Sequence, residues 1–196
     1  SVQTCILSFY GKHGNIRDAR SLFEALETRN SVCWNAIIGI YAQHGFGEEA
    51  MALYQRMKAE KGLKMDDITF VIILSVCSHL GLLREGRDLF VSLQQDFGIH
   101  YLSEHYGCVV DLLARAGMLD VAEEFLERLP AMQFSPVHWT SLLTSCRAHG
   151  DVERGTRAAM LLFELDPQDS GTYAILEQLY TNAGRWDDLA ELAKIM

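Results

Sequence analysis

The chain has 196 residues, of which 49% are hydrophobic and 22% are charged, and its formal net charge at pH 7 is −9. This composition excludes a disordered tail, a collagen-like fibre and a small disulfide scaffold, and no apolar run is long enough to span a membrane. The excess of acidic residues also argues against a non-specific nucleic-acid binder.

A glycine recurs along the whole chain, in the phrases YGKHG, YAQHG, SHLG, ARAG, RAHG and TNAG. We call these six residues the register glycines: Gly14, Gly45, Gly81, Gly117, Gly150 and Gly184. Successive register glycines are separated by 31, 36, 36, 33 and 34 residues. Apolar residues on both sides follow the i, i+3, i+4, i+7 spacing of a helix with one buried stripe. Each glycine therefore predicts a left-handed helix end inside a helical hairpin. Because one hairpin cannot bury its own apolar face, the sequence predicts an all-α fold, an α-solenoid of stacked hairpins.

The hairpins divide the chain into six predicted repeats, numbered here in chain order: 1–30, 31–66, 67–102, 103–135, 136–169 and the incomplete 170–196. The charge is unevenly distributed over them. Residues 1–102 contain 10 Lys/Arg and 11 Asp/Glu, whereas residues 103–196 contain 7 and 15. Net charges of −1 and −8 favour two different kinds of partner for the two halves.

The amino-acid sequences of the repeats resemble those of a known family. The phrases SVCWNAIIGIYAQHGFGEEAMALYQRM, ITFVIILSVCSHLGLLREGRDLF, EHYGCVVDLLARAGMLDVAEEFL and VHWTSLLTSCRAHGDVERG resemble, in order, the closing repeats of plant pentatricopeptide-repeat proteins of the PLS subclass. By this resemblance repeats 1 and 4 are S-type, repeat 2 is P-type and repeat 3 is L-type. Repeat 5 resembles the E1 motif, and SGTYAILEQLYTNAGRWDDLAELAKIM resembles the E2 motif.

The resemblance implies a function in C-to-U editing of organellar transcripts. Each repeat would hold one base of single-stranded RNA, and the E motifs would dock or position a deaminase domain in cis or in trans. Editing-accessory proteins are further implied partners. The implied location is a plant organelle, either chloroplast or mitochondrion, and no membrane or cofactor is implied.

The same resemblance assigns base-reading residues to the first two repeats. In repeat 1 the pair falls on Thr4 and Asn30, a combination that the family associates with adenine. In repeat 2 it falls on Asn35 and Asp66, a combination associated with uracil. Repeat 2 is one residue longer than usual, so Asp67 is an alternative to Asp66.

Apolar residues near the repeat starts complete the implied site. Val32 and Ile68 would flank the base of repeat 2. In the family, the repeat before the E motifs faces the base four nucleotides upstream of the edited cytidine. Counting back one base per repeat, the target would carry uracil at −6 and adenine at −7.

The later repeats offer no pattern that reads a base. The residues at the corresponding places are Val71 and Leu102 in repeat 3, Gly107 and Ser135 in repeat 4, Thr140 in repeat 5 and Ala174 in repeat 6. Glu104 stands at the stacking place of repeat 4, where it would repel a phosphate backbone. Repeats 3 and 4 are therefore expected to space the RNA rather than to read it.

The sequence predicts no catalytic or metal site. A zinc deaminase needs H-x-E and C-x-x-C, and neither motif occurs in this chain. Cys77 and Cys146 occupy the same place in two repeats and are predicted to pack in the core. The histidines that precede the register glycines are predicted to bond free carbonyls at helix ends. The chain is therefore expected not to be an enzyme, although its parent could carry a deaminase domain after Met196.

Aromatic residues recur one position before the first base-reading position of repeats 2 to 6. They form a stripe that is predicted to be interior: Trp34, Phe70, Tyr106, Trp139 and Tyr173.

The sequence leaves two rival functions open. The first is a tetratricopeptide-like scaffold for peptides that binds no RNA. The second is a repeat protein for RNA stabilisation or processing, which the E-like repeats argue against.

Overall fold

The computed structural model describes residues 7, 9–11 and 13–195, and all regular structure within them is helical. Residues 7 and 9–11 are helical and precede the first complete helix of the described part. The helices are α1 (Ile16–Glu24), α2 (Ser31–Gln43), α3 (Gly47–Ala59), α4 (Asp67–Leu80), α5 (Leu83–Gln95), α6 (Ser103–Arg115), α7 (Leu119–Glu127), α8 (Pro136–His149), α9 (Val152–Leu165), α10 (Ser170–Ala183) and α11 (Trp186–Ile195). A short 3₁₀ turn, Ala131–Gln133, lies between α7 and α8.

The helix boundaries follow from capping residues in the sequence. Side chains of Asn30, Asp66, Asp151 and Asp169 accept hydrogen bonds from free amides at the first turns of α2, α4, α9 and α10. All six register glycines have a positive φ, between 67° and 80°. The predicted left-handed breaks between the helices of each hairpin are thus confirmed.

The chain divides into two compact units, which we call the N-terminal unit (residues 1–101) and the C-terminal unit (residues 102–196). The core of the N-terminal unit is built around Phe23, Trp34, Ile37 and Leu53. Small residues bring its helices together, since Ala19 and Ala50 are fully buried. Amphipathic helices of this kind are stabilised mainly by burying their apolar stripes against one another.

The core of the C-terminal unit has the same construction. Trp139, Leu143 and Leu176 pack with the fully buried Ala122 and Ala158.

Among the helices in the described part of the chain, none combines the length and apolar character needed to cross a bilayer.

The side chains predicted to pack in the interior do so with one exception. Four members of the aromatic stripe, Trp34, Phe70, Trp139 and Tyr173, are buried, whereas Tyr106 is half-buried. Cys77 and Cys146 are fully buried, as predicted.

Candidate functional site

The best-defined polar arrangement in the N-terminal unit joins α2 to the start of α4. Asn35 lies on the second turn of α2, and its Nδ2 donates to Oδ1 of Asp66 over 2.8 Å. Asp66 is the N-cap of α4, where its Oδ1 accepts from the Thr69 amide at 2.9 Å. The structure therefore brings together two residues that are 31 positions apart in the chain.

A third side chain completes this arrangement. The Thr69 hydroxyl lies 2.8 Å from Oδ1 of Asn35 and 2.8 Å from Oδ1 of Asp66. Its oxygen also accepts from the Asp66 amide at 3.3 Å, which closes a reciprocal capping box. We call Asn35, Asp66 and Thr69 the polar triad. The sequence analysis predicted no role for Thr69, although Asp-x-x-Thr before an apolar run indicates a helix N-terminal cap.

The polar triad keeps Asp66 ionised. Burial raises the pKa of this carboxyl group, but hydrogen bonds, among them those from the Thr69 amide and the Asn35 side chain, outweigh it, so the pKa lies below its ordinary value. At neutral pH Asp66 can therefore only accept hydrogen bonds.

The apolar side chains predicted to flank a base are exposed. Val32 and Ile68 are 52% and 56% exposed, whereas Asn35 is only 7% exposed. They stand in the first turns of α2 and α4, the helices that carry Asn35 and Thr69. Exposed apolar side chains beside a polar pair can pack on the faces of a planar ring while the pair contacts its edge.

Asp67, the alternative to Asp66, does not share this geometry. Its Oδ1 accepts from the amide of the next residue, Ile68, at 3.0 Å. The structure thus places Asp66, rather than Asp67, against Asn35.

The pair assigned to repeat 1 is only partly described. Thr4 lies outside the described residues. Asn30 is exposed and caps α2, where its Oδ1 accepts from the Cys33 amide at 3.0 Å. Asn30 thus occupies the same N-cap place on α2 that Asp66 occupies on α4.

The corresponding place in repeat 4 is covered by a side chain of the next repeat. A Cβ added to Gly107 would lie 3.0 Å from Cδ2 and Nε2 of His138. His138 is buried, and its Nδ1 has no hydrogen-bond partner among the described residues. Glu104 is exposed at the stacking place of this repeat. Sequence reasoning missed the imidazole, because Gly107 and His138 lie on helices of different repeats.

The remaining places carry no comparable arrangement. The Thr140 hydroxyl donates to the Pro136 carbonyl within α8 at 3.1 Å, and Ala174 is an exposed alanine. In repeat 3, Leu102 is the exposed N-cap of α6 and supplies no polar side chain.

His44 and His79, beside two of the register glycines, bond carbonyls of the preceding helical turn; the Ile40 carbonyl is not free as predicted, because it also accepts from the His44 amide at 3.3 Å. Nδ1 of His44 donates to the Ile40 carbonyl at 2.8 Å, and Nδ1 of His79 donates to the Ser75 carbonyl at 2.7 Å. Over the described part of the chain, no group of three His, Cys, Asp or Glu side chains could hold a metal ion.

Three family models match the chain. The PPR repeat model matches residues 4–31, 68–96 and 104–134, the PPR repeat family model matches 29–79, and the E motif model matches 149–196. The chain belongs to the pentatricopeptide-repeat family.

Curated relatives agree with this assignment. Pentatricopeptide repeat-containing protein At5g56310 of Arabidopsis thaliana is 42% identical over all of this chain and 37% of its own length. Protein At2g22410 of the same plant, whose name describes it as mitochondrial, is 40% identical over 98% of this chain and 28% of its own length. The chain thus spans 28% to 37% of the length of these relatives.

Solved structures share the fold. The maize pentatricopeptide repeat protein PPR10 superposes with a TM-score of 0.77 at 22% identity, over 97% of this chain and 28% of that one. PPR10 in complex with an 18-nt psaJ RNA element gives a TM-score of 0.63 at 21% identity, over 98% and 27%. A tetratricopeptide repeat protein from Parabacteroides merdae gives 0.66 at 16% identity, over 99% and 78%. The all-α, α-solenoid fold predicted from the sequence is therefore confirmed.

Proposed function

We propose that this chain recognises single-stranded RNA, one base per repeat, as the site-recognition part of an organellar C-to-U editing factor. The observation that carries the proposal is the Asn35–Asp66 pair with the exposed Val32 and Ile68 beside it. Two further facts support it: a pentatricopeptide-repeat neighbour of the same fold was solved with RNA, and an E motif follows the repeats in this chain.

The chemistry available at the polar triad suits the edge of a base. Asn35 uses one of its two Nδ2 hydrogens on Asp66, which leaves one N–H donor. Oδ2 of Asp66 accepts no hydrogen bond from the described residues, which leaves one charged acceptor. Uracil presents a carbonyl oxygen and an N–H side by side, and these match one donor and one acceptor.

The E-like repeats 136–196 would serve protein contacts rather than RNA contacts. Residues 136–196 contain 5 Lys/Arg and 9 Asp/Glu, a net charge of −4, which disfavours a phosphate backbone. We propose that this region docks a deaminase domain, supplied in cis or in trans. Because one relative is named as mitochondrial, we propose a plant organelle as the location.

The test varies the RNA and one carboxylate. In an editing or binding assay of the full-length protein, targets with adenine at −7 and uracil at −6 should be preferred. Asp66→Asn should shift the −6 preference from uracil towards cytidine, because an amide can donate where a carboxylate only accepts. A good base contact is worth about 1–3 kcal/mol of discrimination in DNA readout, and a similar size is expected here.

Asp67→Asn is the matched control for this experiment. It removes a neighbouring carboxylate whose Oδ1 accepts from the Ile68 amide, so the −6 preference should persist. Indifference of the unsubstituted protein to both bases would refute the proposed RNA recognition. A shift caused by Asp67→Asn, and not by Asp66→Asn, would show that the pair has been assigned one position too early.

A further inference from the structure

We infer that Thr69 is a positioning residue that fixes the orientation of the Asn35 amide and thereby sets base preference at repeat 2. The inference rests on the proposed function and deepens it. Thr69 belongs to the first turn of α4, in the next predicted repeat, so the preference of one repeat would depend on a hydroxyl of its neighbour.

The hydroxyl has one proton and two acceptors within reach. Oδ1 of Asn35 and Oδ1 of Asp66 each lie 2.8 Å from the Thr69 hydroxyl oxygen. Oδ1 of Asp66 already accepts two N–H groups, from Asn35 at 2.8 Å and from the Thr69 amide at 2.9 Å. Oδ1 of Asn35 has no other donor among the described residues, and Asn35 is buried. A buried acceptor without a donor is costly, so we assign the hydrogen bond of the Thr69 hydroxyl to Oδ1 of Asn35.

Both ends of the Asn35 amide are then held. The ionised Asp66 carboxylate accepts from Nδ2, and the Thr69 hydroxyl donates to Oδ1. An amide turned over would place its oxygen against the carboxylate and its NH₂ group against the hydroxyl. The triad therefore offers a ligand the N–H of Asn35 and never its C=O, which disfavours bases that need an acceptor at that point.

A related N-cap lies in the C-terminal unit. The Thr172 hydroxyl donates to Oδ2 of Asp169 at 2.6 Å, and Asp169 caps α10 as Asp66 caps α4. The residue at the reading place of the preceding repeat is Thr140, whose hydroxyl is engaged within its own helix. Thr172 thus stands at the same position of its helix as Thr69, three residues after a capping aspartate to which its hydroxyl donates, and has no asparagine to orient.

The experiment separates orientation from capping. A randomised single-stranded RNA pool is selected on the full-length protein, and the position whose preference changes in Asp66→Asn identifies the base facing repeat 2. Four RNAs that differ only at that position are then titrated against Thr69→Val, Thr69→Ser and Thr172→Val. Thr69→Val keeps the side-chain shape and removes the hydroxyl, whereas Thr69→Ser keeps the hydroxyl.

Thr69→Val should lower the uracil-over-cytosine binding ratio roughly threefold to tenfold, the range that one hydrogen bond contributes. Thr69→Ser should retain the ratio of the unsubstituted protein, and Thr172→Val should leave the ratio unchanged while losing a hydroxyl contact with its own N-cap aspartate. If the unsubstituted protein prefers uracil and Thr69→Val prefers it equally, the inference fails and the proposed function stands. An equal loss in Thr172→Val would show a general structural effect and overturn the inference. No base preference in the unsubstituted protein would overturn both.

Discussion

At the residue scale, two glycines inside helices differ in what surrounds them. A Cβ on Gly155 would collide with Cδ2 of Leu179 and lie 3.2 Å from Cβ of Cys146. A Cβ on Gly39 would meet only Cδ1 of Ile72, at an ordinary 3.8 Å. Gly155 is therefore required by close packing of α9, whereas Gly39 is not required by packing in α2.

Gly155→Ala should lower the free energy of unfolding by about 0.5–2 kcal/mol, because an extra methyl group forced into a packed core costs about 1–3 kcal/mol and the better helix propensity of alanine offsets about 0.5–1 kcal/mol of that cost. Gly39→Ala should raise it by about 0.5–1 kcal/mol, because alanine is the better helix former. Urea denaturation of both variants measures these changes. Equal stability of the two variants would contradict the packing argument.

Residue roles were predictable from the sequence where they depend on one repeat alone. The burial of Cys77 and the carbonyl bonds of His44 and His79 follow from their place before a register glycine. The contacts of Asn35 with Thr69 and of Gly107 with His138 join helices of adjacent repeats. Such contacts depend on how two hairpins stack, and spacing within one hairpin does not determine that.

At the element scale, an ionic cluster holds α7 against α9. Glu123 accepts from Nε of Arg154 at 2.8 Å and from Nη2 of Arg157 at 2.8 Å, and its side chain is 13% exposed. Arg154 also pairs with Asp151, the N-cap of α9. Burial raises the pKa of Glu123, but the two arginines outweigh this effect and place the pKa below its ordinary value.

This cluster predicts a pH dependence of stability. Because the pKa of Glu123 is lower in the folded state, its contribution is present above the unfolded-state pKa of about 4.3 and is lost as the pH falls through the folded-state value. Glu123→Gln should cost about 1–3 kcal/mol at pH 7 and progressively less below pH 5. Urea midpoints at pH 7, 5 and 3 measure this, and a constant difference across that range would contradict it.

The helices themselves were largely predictable, because caps and breaks are local. Asp66 and Asp169 precede the apolar runs of α4 and α10, and Gly81 and Gly184 end those helices. The ionic cluster was not predictable, since Glu123 and Arg154 lie 31 residues apart on helices of different repeats.

At the scale of the whole molecule, the division of charge limits how RNA can bind. Residues 1–102 have a net charge of −1 and residues 103–196 a net charge of −8. Few phosphate contacts are then available, so the 196-residue chain should bind single-stranded RNA with micromolar or weaker affinity. Non-specific binding has dissociation constants of roughly 10⁻⁴–10⁻⁶ M, and each phosphate contact adds about −0.7 to the logarithmic salt slope.

Titrations at several salt concentrations test this expectation. The slope of the logarithm of the binding constant against the logarithm of the salt concentration should be about −2 or shallower, as for two or three phosphate contacts. A matched RNA lacking the preferred bases serves as the control and should bind with the same slope and lower affinity. Nanomolar binding at physiological salt would show that the surface supplies more contacts than its charge indicates.

The fully buried thiols of Cys77 and Cys146 have a practical consequence for following local opening. Burial raises the pKa of Cys77 to about 11 and that of Cys146 to about 12, so neither is a reactive thiolate in the folded chain at neutral pH. One lies in the N-terminal unit and the other in the C-terminal unit. In variants that retain only Cys77 or only Cys146, the rate of labelling by a thiol reagent therefore reports how often that unit exposes its interior. A repeat protein is stabilised by nearest-neighbour interfaces, and comparing the two labelling rates as urea is added would show whether the two units open together or in turn.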